Sequence, residues 1–204
     1  MFTIYYAHST AAIAPQILLE ESGANYESRC IDFSNRDQQS PEYLAINPKG
    51  RVPALITPRG TLTEVPALLA YIAQIYPEKN LEPTDPFEFA EAQEFNAYLC
   101  STVHVAHAHK MRGSRWSNDP SSHESMRAKV VENLEECARV IESHYFKGPW
   151  VMGENYSLCD PYLYLISRWL EGDGVDIAQF QKIKNHRDNM LARPATQTII
   201  ALHA

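Results

Sequence analysis

Several features that define common protein classes are missing from this chain of 204 residues. No apolar run approaches the roughly 18 residues that a membrane-spanning helix needs. The N-terminus also lacks the basic head and apolar core of a secretory signal. Because 25 acidic residues outnumber 18 Lys and Arg, the net charge of −7 disfavours a dedicated binder of nucleic acid or of anionic membranes. A local basic pocket for a small anionic ligand remains compatible with this balance.

Cysteine is sparse, and its placement excludes some redox chemistry. The chain has four cysteines, none in a C-x-x-C pair and none within residues 1–29: Cys30, Cys100, Cys137 and Cys159. Scattered single cysteines in a chain without a signal are typical of reduced, packed thiols. We therefore expect a cytoplasmic protein without a disulfide framework.

The N-terminal residues have the pattern of a β-α-β unit. Residues 2–6 are all aromatic or β-branched and predict a strand, and residues 26–33 predict a second one. Between them, residues 14–22 predict a helix, and Gly23 stands where a helix commonly ends in a left-handed residue. Parallel strands joined by a crossover helix are the basic unit of an α/β layer.

Residues 47–75 carry the densest local signals. The residues Asn47-Pro48-Lys49-Gly50 favour a turn. Val52-Pro53 then precedes the short apolar run 54–56. Pro58-Arg59-Gly60 predicts the loop of a hairpin whose return strand is 61–63. Glu64 then precedes a helix with apolar residues at helical spacing, namely Ala67, Leu68, Tyr71, Ile72 and Ile75.

Beyond residue 77 the strand signals largely stop. Residues 77–86 contain three prolines and predict a linker. Helices are expected over residues 87–111, 122–145, 158–170 and 177–191. Ser157 and Asp160 form a Ser-x-x-Asp box before an apolar run, in which Ser157 accepts a hydrogen bond from the N–H three residues on and Asp160 reaches back.

Together these motifs resemble the N-terminal domain of glutathione transferases. The match is closest to the bacterial beta-type enzymes, which carry N-P-K-G-x-V-P-A-L followed by L-T-E-x-x-A-[IL]-x-x-Y. The box at Ser157 and the run Arg193-Pro194-Ala195 are similar to later parts of the same family, so the resemblance spans the chain. It implies an α/β thioredoxin-like domain over residues 1–78, a linker over 79–86, and an all-helical domain over 87–204 that lines the electrophile site. It also implies a homodimer.

The resemblance implies a site for glutathione, with no metal. Glu64 would bind the γ-glutamyl ammonium, and the backbone N–H of Val65 with the following helix N-terminus would bind the carboxylate. The peptide unit before a cis Pro53 would offer the N–H and C=O of Val52 to the cysteinyl residue. Arg36, with Lys49 as a further candidate, would meet the glycine carboxylate.

Two departures from the family pattern concern this site. Val65 stands where many members have a serine, so one hydroxyl partner of the carboxylate is lost. Ala11 stands where beta-type members commonly have the catalytic cysteine. Ser9 and Thr10 are then the nearest hydroxyls that would donate to the glutathione sulfur and favour its thiolate, with Tyr5 and Tyr6 as alternative donors.

A histidine-rich helix supports two interpretations. Cys100, His104 and His107 share one face of the predicted helix 87–111 and have the residue types of a zinc site, but no further ligand motif accompanies them. By the resemblance, His104 aligns with a histidine near the glutathione sulfur. We therefore assign His104 to the wall of the electrophile pocket and predict no metal.

These observations favour a glutathione transferase that activates the thiolate for attack on a hydrophobic electrophile or a peroxide. The alternative is a transferase-like fold that carries ligands or docks protein partners without turnover, and Ala11 and Val65 motivate it. A thioredoxin-type redox protein is disfavoured because it needs a cysteine near the first helix.

Overall fold

A mixed four-stranded sheet organises the N-terminal part of the protein. The computed structural model describes all 204 residues. Its strands are β1 (Phe2–Tyr6), β2 (Tyr26–Cys30), β3 (Ala54–Thr57) and β4 (Gly60–Thr63). The sheet order is β2-β1-β3-β4, with β1 parallel to β2 and the other neighbours antiparallel. The predicted β-α-β unit and hairpin are both confirmed.

Strand β2 is shorter than predicted because an aspartate turns the chain. The Asp32 carboxylate accepts hydrogen bonds from the N–H of Ser34 at 2.7 Å and from its hydroxyl, also at 2.7 Å. The N–H of Asp32 is taken by the Asp37 carboxylate at 2.8 Å and is lost to the sheet. Such local bonds compete with a strand, so pairing stops at Cys30.

The helices of this unit are α1 (Ile13–Ser22), α2 (Pro41–Ile46), α3 (Val65–Ile75) and α10 (Pro194–Leu202). Gly23 ends α1 with φ of 69°, as predicted. Most of α1 is buried, because it packs against α3 and α10.

The C-terminal residues fold with the sheet and not with the helical domain to which the sequence assigned them. One compact unit comprises Met1–Pro83 and Leu191–Ala204, and the other comprises Thr84–Met190. Arg193 forms a two-pronged ion pair with Glu21 of α1, with Nη2 to Oε2 at 2.8 Å. Thr196 and Ile199 of α10 are buried. The sequence shows that α10 has an apolar face, but it does not encode which helix covers that face.

The second unit is all-helical, as predicted. Its helices are α4 (Pro86–Tyr98), α5 (His104–Ala108), α6 (Pro120–Ala128), α7 (Val130–Val140), α8 (Asp160–Asp173) and α9 (Gln181–Leu191). Its fully buried core includes Phe95, Tyr162, Leu163 and Ile183. None of the helices of the protein combines the length and apolar character needed to cross a membrane.

Two helices that were predicted as continuous are interrupted. A π-helical turn at Leu99–Val103 separates α4 from α5, and another at Ile141–Tyr145 follows α7. The helix predicted over 122–145 also breaks at Lys129, between α6 and α7. A wider turn changes the phase of the side chains without removing the apolar residues, so hydrophobic spacing does not locate it.

The box at the start of α8 forms, with one change in its bonding. Asp160 is fully buried, and its Oδ2 accepts from the N–H of Ser157 at 2.6 Å, as predicted. The hydroxyl oxygen of Ser157 accepts from the N–H of Cys159 at 3.3 Å rather than from that of Asp160. The N–H of Asp160 donates instead to the backbone carbonyl of Ser157 at 3.1 Å, because the helix begins at Asp160 itself.

Candidate functional site

The register of the sheet places most of the predicted glutathione-site residues along one edge. Tyr5 of β1 pairs with Ala54 of β3, and Ala54 pairs with Thr63 of β4. The end of β1, the start of β3 and the end of β4 therefore meet, and the parallel strand β2 ends at the same edge. The predicted residues in the adjoining segments are Ser9, Thr10, Arg36, Lys49, Val52, Pro53, Glu64 and Val65.

A small apolar cluster lies at this end of the sheet. It consists of Ala7, Ile31 and Tyr43, with Tyr5 and Val52 packed against it. The Tyr43 hydroxyl donates to the carbonyl of Arg51 at 2.6 Å. Burial raises the pKa of Tyr43 to about 12, so the phenol keeps the proton that this bond needs. The residues leading into Val52 are thus fixed to α2.

The two candidate hydroxyls differ in what they can still donate. The Thr10 hydroxyl donates to the carbonyl of Ala7 at 2.7 Å, which commits its proton to the turn. The Ser9 side chain is exposed, and its hydroxyl makes no hydrogen bond. Ser9 also has a φ of 55°, which is uncommon for a residue other than glycine. Of the two, Ser9 has the hydroxyl proton available to an external acceptor.

Val52 and Pro53 present an unpaired stretch of extended backbone. The peptide bond between them is cis, as predicted. Strand β3 begins only at Ala54, and the N–H and C=O of Val52 make no backbone hydrogen bond. A free N–H and C=O beyond the end of a strand can pair with one residue of an added peptide.

Glu64 has a strained backbone conformation. It precedes α3 with φ of 72° and ψ of 120°, a combination that costs a residue with a side chain on the order of 1–3 kcal/mol. The Glu64 side chain is exposed, whereas Val65 is buried. The carboxylate therefore points to solvent at the mouth of a helix whose first N–H groups attract anions.

Lys49 and Arg36 supply the positive charge predicted at this edge. The Lys49 ammonium donates to the Thr63 hydroxyl at 2.6 Å and also pairs with the Glu64 carboxylate. The turn that carries Lys49 is held by the buried Asn47, which accepts from the N–H of Lys49 at 3.2 Å. Arg36 is exposed, has a φ of 58°, and its guanidinium makes no hydrogen bond.

The two tyrosines of β1 are the alternative donors that the sequence offers for an external thiol. Tyr6 is buried, and burial followed by the nearby Cys30 thiol raises its pKa. Tyr5 packs against Tyr43 with ring centroids 5.5 Å apart, and its hydroxyl accepts from Arg29 at 3.4 Å. Both side chains serve the packing of the sheet.

His104 lies in the helical unit, in an aromatic and ionic cluster. Its ring meets that of Trp169 edge-on at 4.7 Å, and the His107 ring stacks on the same indole at 4.2 Å. His107 Nδ1 pairs with the nearly buried Asp173 carboxylate, which also binds Lys110 at 3.1 Å. His107 is thus engaged within its own unit, and no group of three or more His, Cys, Asp or Glu side chains is arranged to hold a metal ion.

One part of the site gave no signal in the sequence. The N–H of Ser9 donates to Nδ1 of His203 at 3.1 Å, a contact between residues 194 positions apart. His203 is the next-to-last residue of the chain. It follows an apolar helix and belongs to no recognisable motif, so only the folded structure places it beside Ser9.

A family model and several curated proteins are similar to this chain in sequence. A family model described as the N-terminal domain of glutathione S-transferase matches residues 1–74. Over 201 residues the chain is 25% identical to glutathione S-transferase GstA of Escherichia coli O157:H7, covering 97% of this chain and 96% of that protein. It is 27% identical over 195 residues to a maleylacetoacetate isomerase of Pseudomonas aeruginosa, covering 93% and 91% of the two chains.

A solved structure gives a closer match. The crystal structure of a glutathione transferase homologue from Sulfitobacter, which contains bound glutathione, is 46% identical to this chain. The two folds superpose with a TM-score of 0.96 over 99% of this chain and 98% of the other. Identity at this level over nearly the full length, with the same two-part fold, shows that the chain belongs to the glutathione transferase family.

Proposed function

We propose that this protein binds glutathione along the sheet edge described above and activates its thiol for attack on a hydrophobic electrophile or a peroxide. The observation that carries the proposal is the register of the sheet. It sets at one end of the sheet the segments that carry the free backbone of Val52, the exposed carboxylate of Glu64 and the free hydroxyl of Ser9. These groups match the peptide, ammonium and thiol of glutathione.

Binding would use both ends of the tripeptide. Val52 pairs with the cysteinyl residue through its N–H and C=O. Glu64 binds the γ-glutamyl ammonium, and the N-terminus of α3, beginning at Val65, receives the adjacent carboxylate. Arg36 and Lys49 meet the glycine carboxylate, for which Lys49 exchanges part of its pairing with Glu64.

Activation would consist of lowering the pKa of the bound thiol. An ordinary thiol has a pKa of about 8.5, and each unit of depression corresponds to about 1.4 kcal/mol. The Ser9 hydroxyl donates to the sulfur, and the N-terminus of α1 favours the negative charge. The thiolate then forms an S–C bond as the electrophile releases its leaving group with the bonding electrons. With a peroxide, it forms a sulfenic acid and an alcohol, and a second glutathione yields the disulfide and water.

The remaining assignments follow the family resemblance. His104 forms part of the wall that receives the electrophile, where the Trp169 indole beside it adds apolar surface. The protein acts as a homodimer in a reducing cytoplasm, where its four free cysteines stay reduced.

Calorimetric titration with glutathione and with S-hexyl-glutathione tests the binding proposal. Both ligands are expected to bind, and the hexyl form more tightly by at least about tenfold, because each buried methylene contributes about 0.8 kcal/mol. Equal affinities would remove the apolar pocket from the proposal. Absence of binding at millimolar concentrations of either ligand would overturn the glutathione site itself.

Replacing Ser9 by alanine tests the activation proposal. Turnover of glutathione with 1-chloro-2,4-dinitrobenzene is expected to fall at least about tenfold, with little change in the KM for glutathione, since the hydroxyl acts on the developing thiolate. The matched control is Thr10→Val, which removes a hydroxyl already committed to Ala7. It is expected to keep the rate within about threefold of the unaltered protein. Equal losses in both variants would contradict the choice of Ser9.

A carrier or docking module without turnover is the second candidate. Ala11 and Val65 favour it, because both positions hold buried apolar side chains where many family members have a reactive or polar group. A protein that binds glutathione but shows no rate with several electrophiles or peroxides would support it.

A further inference from the structure

His203 belongs to a chain of hydrogen bonds that joins the Ser9 turn to α1 and β2. Its Nδ1 accepts from the backbone N–H of Ser9 at 3.1 Å. Its Nε2 lies 2.7 Å from Oε1 of Gln16 in α1, and Nε2 of Gln16 donates to the Ser28 hydroxyl of β2 at 3.0 Å. Gln16 is 0% exposed and His203 is 3% exposed. The residue that follows α10 is thereby tied to α1, to β2 and to the turn after β1.

The donors in this chain determine the tautomer of the histidine. A backbone N–H only donates, so Nδ1 of His203 must carry a lone pair. The ring proton then sits on Nε2 and is accepted by the Gln16 amide oxygen. The Gln16 amide nitrogen faces Ser28 in this orientation, and the opposite orientation would set two N–H groups against each other. The imidazole is therefore an oriented acceptor aimed at Ser9.

The Ser9 turn has a conformation that needs such an acceptor. Its φ of 55° is unfavourable for a residue with a side chain and persists only where the surroundings hold it. The Tyr6 ring lies 4.8 Å from the His203 ring and the His8 ring lies 6.4 Å from it, so aromatic groups enclose the contact. With its N–H fixed, Ser9 presents its hydroxyl outward.

We propose that His203 is a positioning residue for the reaction: through the hydrogen bond from Ser9 N–H to its Nδ1, it fixes the direction in which the Ser9 hydroxyl donates to the thiol. This role rests on the proposed function, because it acts through Ser9. It assigns a task to the C-terminal end of the chain, far in sequence from every other residue of the site. His203 itself touches neither glutathione nor the electrophile.

Two substitutions at this position separate the Ser9 bond from the Gln16 bond. In His203→Asn, the amide oxygen occupies the place of Nδ1 and accepts from Ser9, whereas the Nε2 position is empty. In His203→Gln, the longer amide reaches toward Gln16 but leaves no acceptor at the place of Nδ1. Leu202→Ala is the control for general damage to α10, because Leu202 is exposed and next in the chain.

Three measurements are made on each variant. Thermal unfolding shows that the variant is folded, amide hydrogen exchange reports the Ser9 N–H without glutathione, and steady-state kinetics with 1-chloro-2,4-dinitrobenzene gives kcat and the KM for glutathione. For His203→Gln, we expect Ser9 exchange about fivefold faster or more, and kcat about tenfold lower with the KM within about twofold. In His203→Asn and Leu202→Ala, the Ser9 exchange rate, the kcat and the KM for glutathione are each expected to stay within about threefold of the unaltered protein.

Several outcomes would overturn the inference. Equal losses in His203→Asn and His203→Gln would show a packing role, and unchanged Ser9 exchange in His203→Gln would show that the turn does not depend on the acceptor. If the unaltered protein binds no glutathione, the proposed function fails, and with it the role of His203 as a positioning residue for the reaction. The exchange of Ser9 would still show whether His203 holds the turn.

Discussion

Replacing Asp160 by alanine is expected to lower the free energy of unfolding of the protein by about 3–5 kcal/mol. This carboxylate is fully buried and makes four contacts. Oδ2 accepts from the N–H of Ser157 at 2.6 Å and from its hydroxyl at 3.0 Å. Oδ1 accepts from the N–H of Val151 at 2.9 Å and lies 3.0 Å from Nε2 of His186.

The size of the effect follows from what the substitution leaves behind. Two backbone N–H groups, the Ser157 hydroxyl and a histidine N–H would remain in a dry environment, and each unpaired donor costs about 1–3 kcal/mol. Nδ1 of His186 already has no partner, so the ring has no alternative bond to strengthen. The helix also loses the negative charge that stabilises its N-terminus, where α8 begins.

Asp85→Ala is the matched control for capping alone. Asp85 is the exposed cap of α4 and accepts from the N–H groups of Phe87 and Glu88 at 2.9 and 3.1 Å. Its loss is expected to cost about 1 kcal/mol. Urea unfolding followed by circular dichroism and tryptophan fluorescence measures both variants. If both variants lose a similar free energy of unfolding, the buried contacts of Asp160 contribute no stability beyond that of a helix cap.

The parts of the site that could be predicted from the sequence are those with local causes. The turn around Lys49 follows from Asn47, Pro48 and Gly50, whose backbone preferences act within a few residues. Glu64 could be identified because it separates a hairpin from a helix, and both have short-range patterns. The resemblance to glutathione transferases then predicted which ligand these residues bind.

The parts that could not be predicted depend on contacts between distant residues. His203 meets Ser9 only because α10 packs against α1. The spacing of apolar residues in a helix does not show which other helix it packs against. The bond between His186 and Asp160 joins residues 26 positions apart. The choice between Ser9 and Thr10 needed the hydrogen bond from Thr10 to Ala7, which is a matter of rotamer and not of residue type.

Replacing Glu64 by glycine is expected to weaken glutathione binding by about 10–100-fold while leaving the protein at least as stable as before. The loss of affinity follows from the loss of a charge-assisted hydrogen bond to the γ-glutamyl ammonium, which is worth about 1.5–3 kcal/mol. The stability is retained because glycine, which has no Cβ, adopts this backbone at a lower cost than glutamate does. The Lys49 pair that disappears is exposed and contributes little to folding.

Glu64→Gln completes the experiment, because it keeps the strained backbone and nearly the same shape but removes the charge. Its affinity for glutathione should fall close to that of the glycine variant, and its stability should stay below that of the glycine variant by about 1–3 kcal/mol. Calorimetry at low and high salt measures the affinities, and urea unfolding measures the stabilities. If Glu64→Gly binds glutathione normally, Glu64 is not the partner of the ammonium. If Glu64→Gly loses both stability and affinity for glutathione, the role of Glu64 is to stabilise the fold. A strained glutamate retained at the cost of stability, in contrast, is what a binding role at this sheet edge requires.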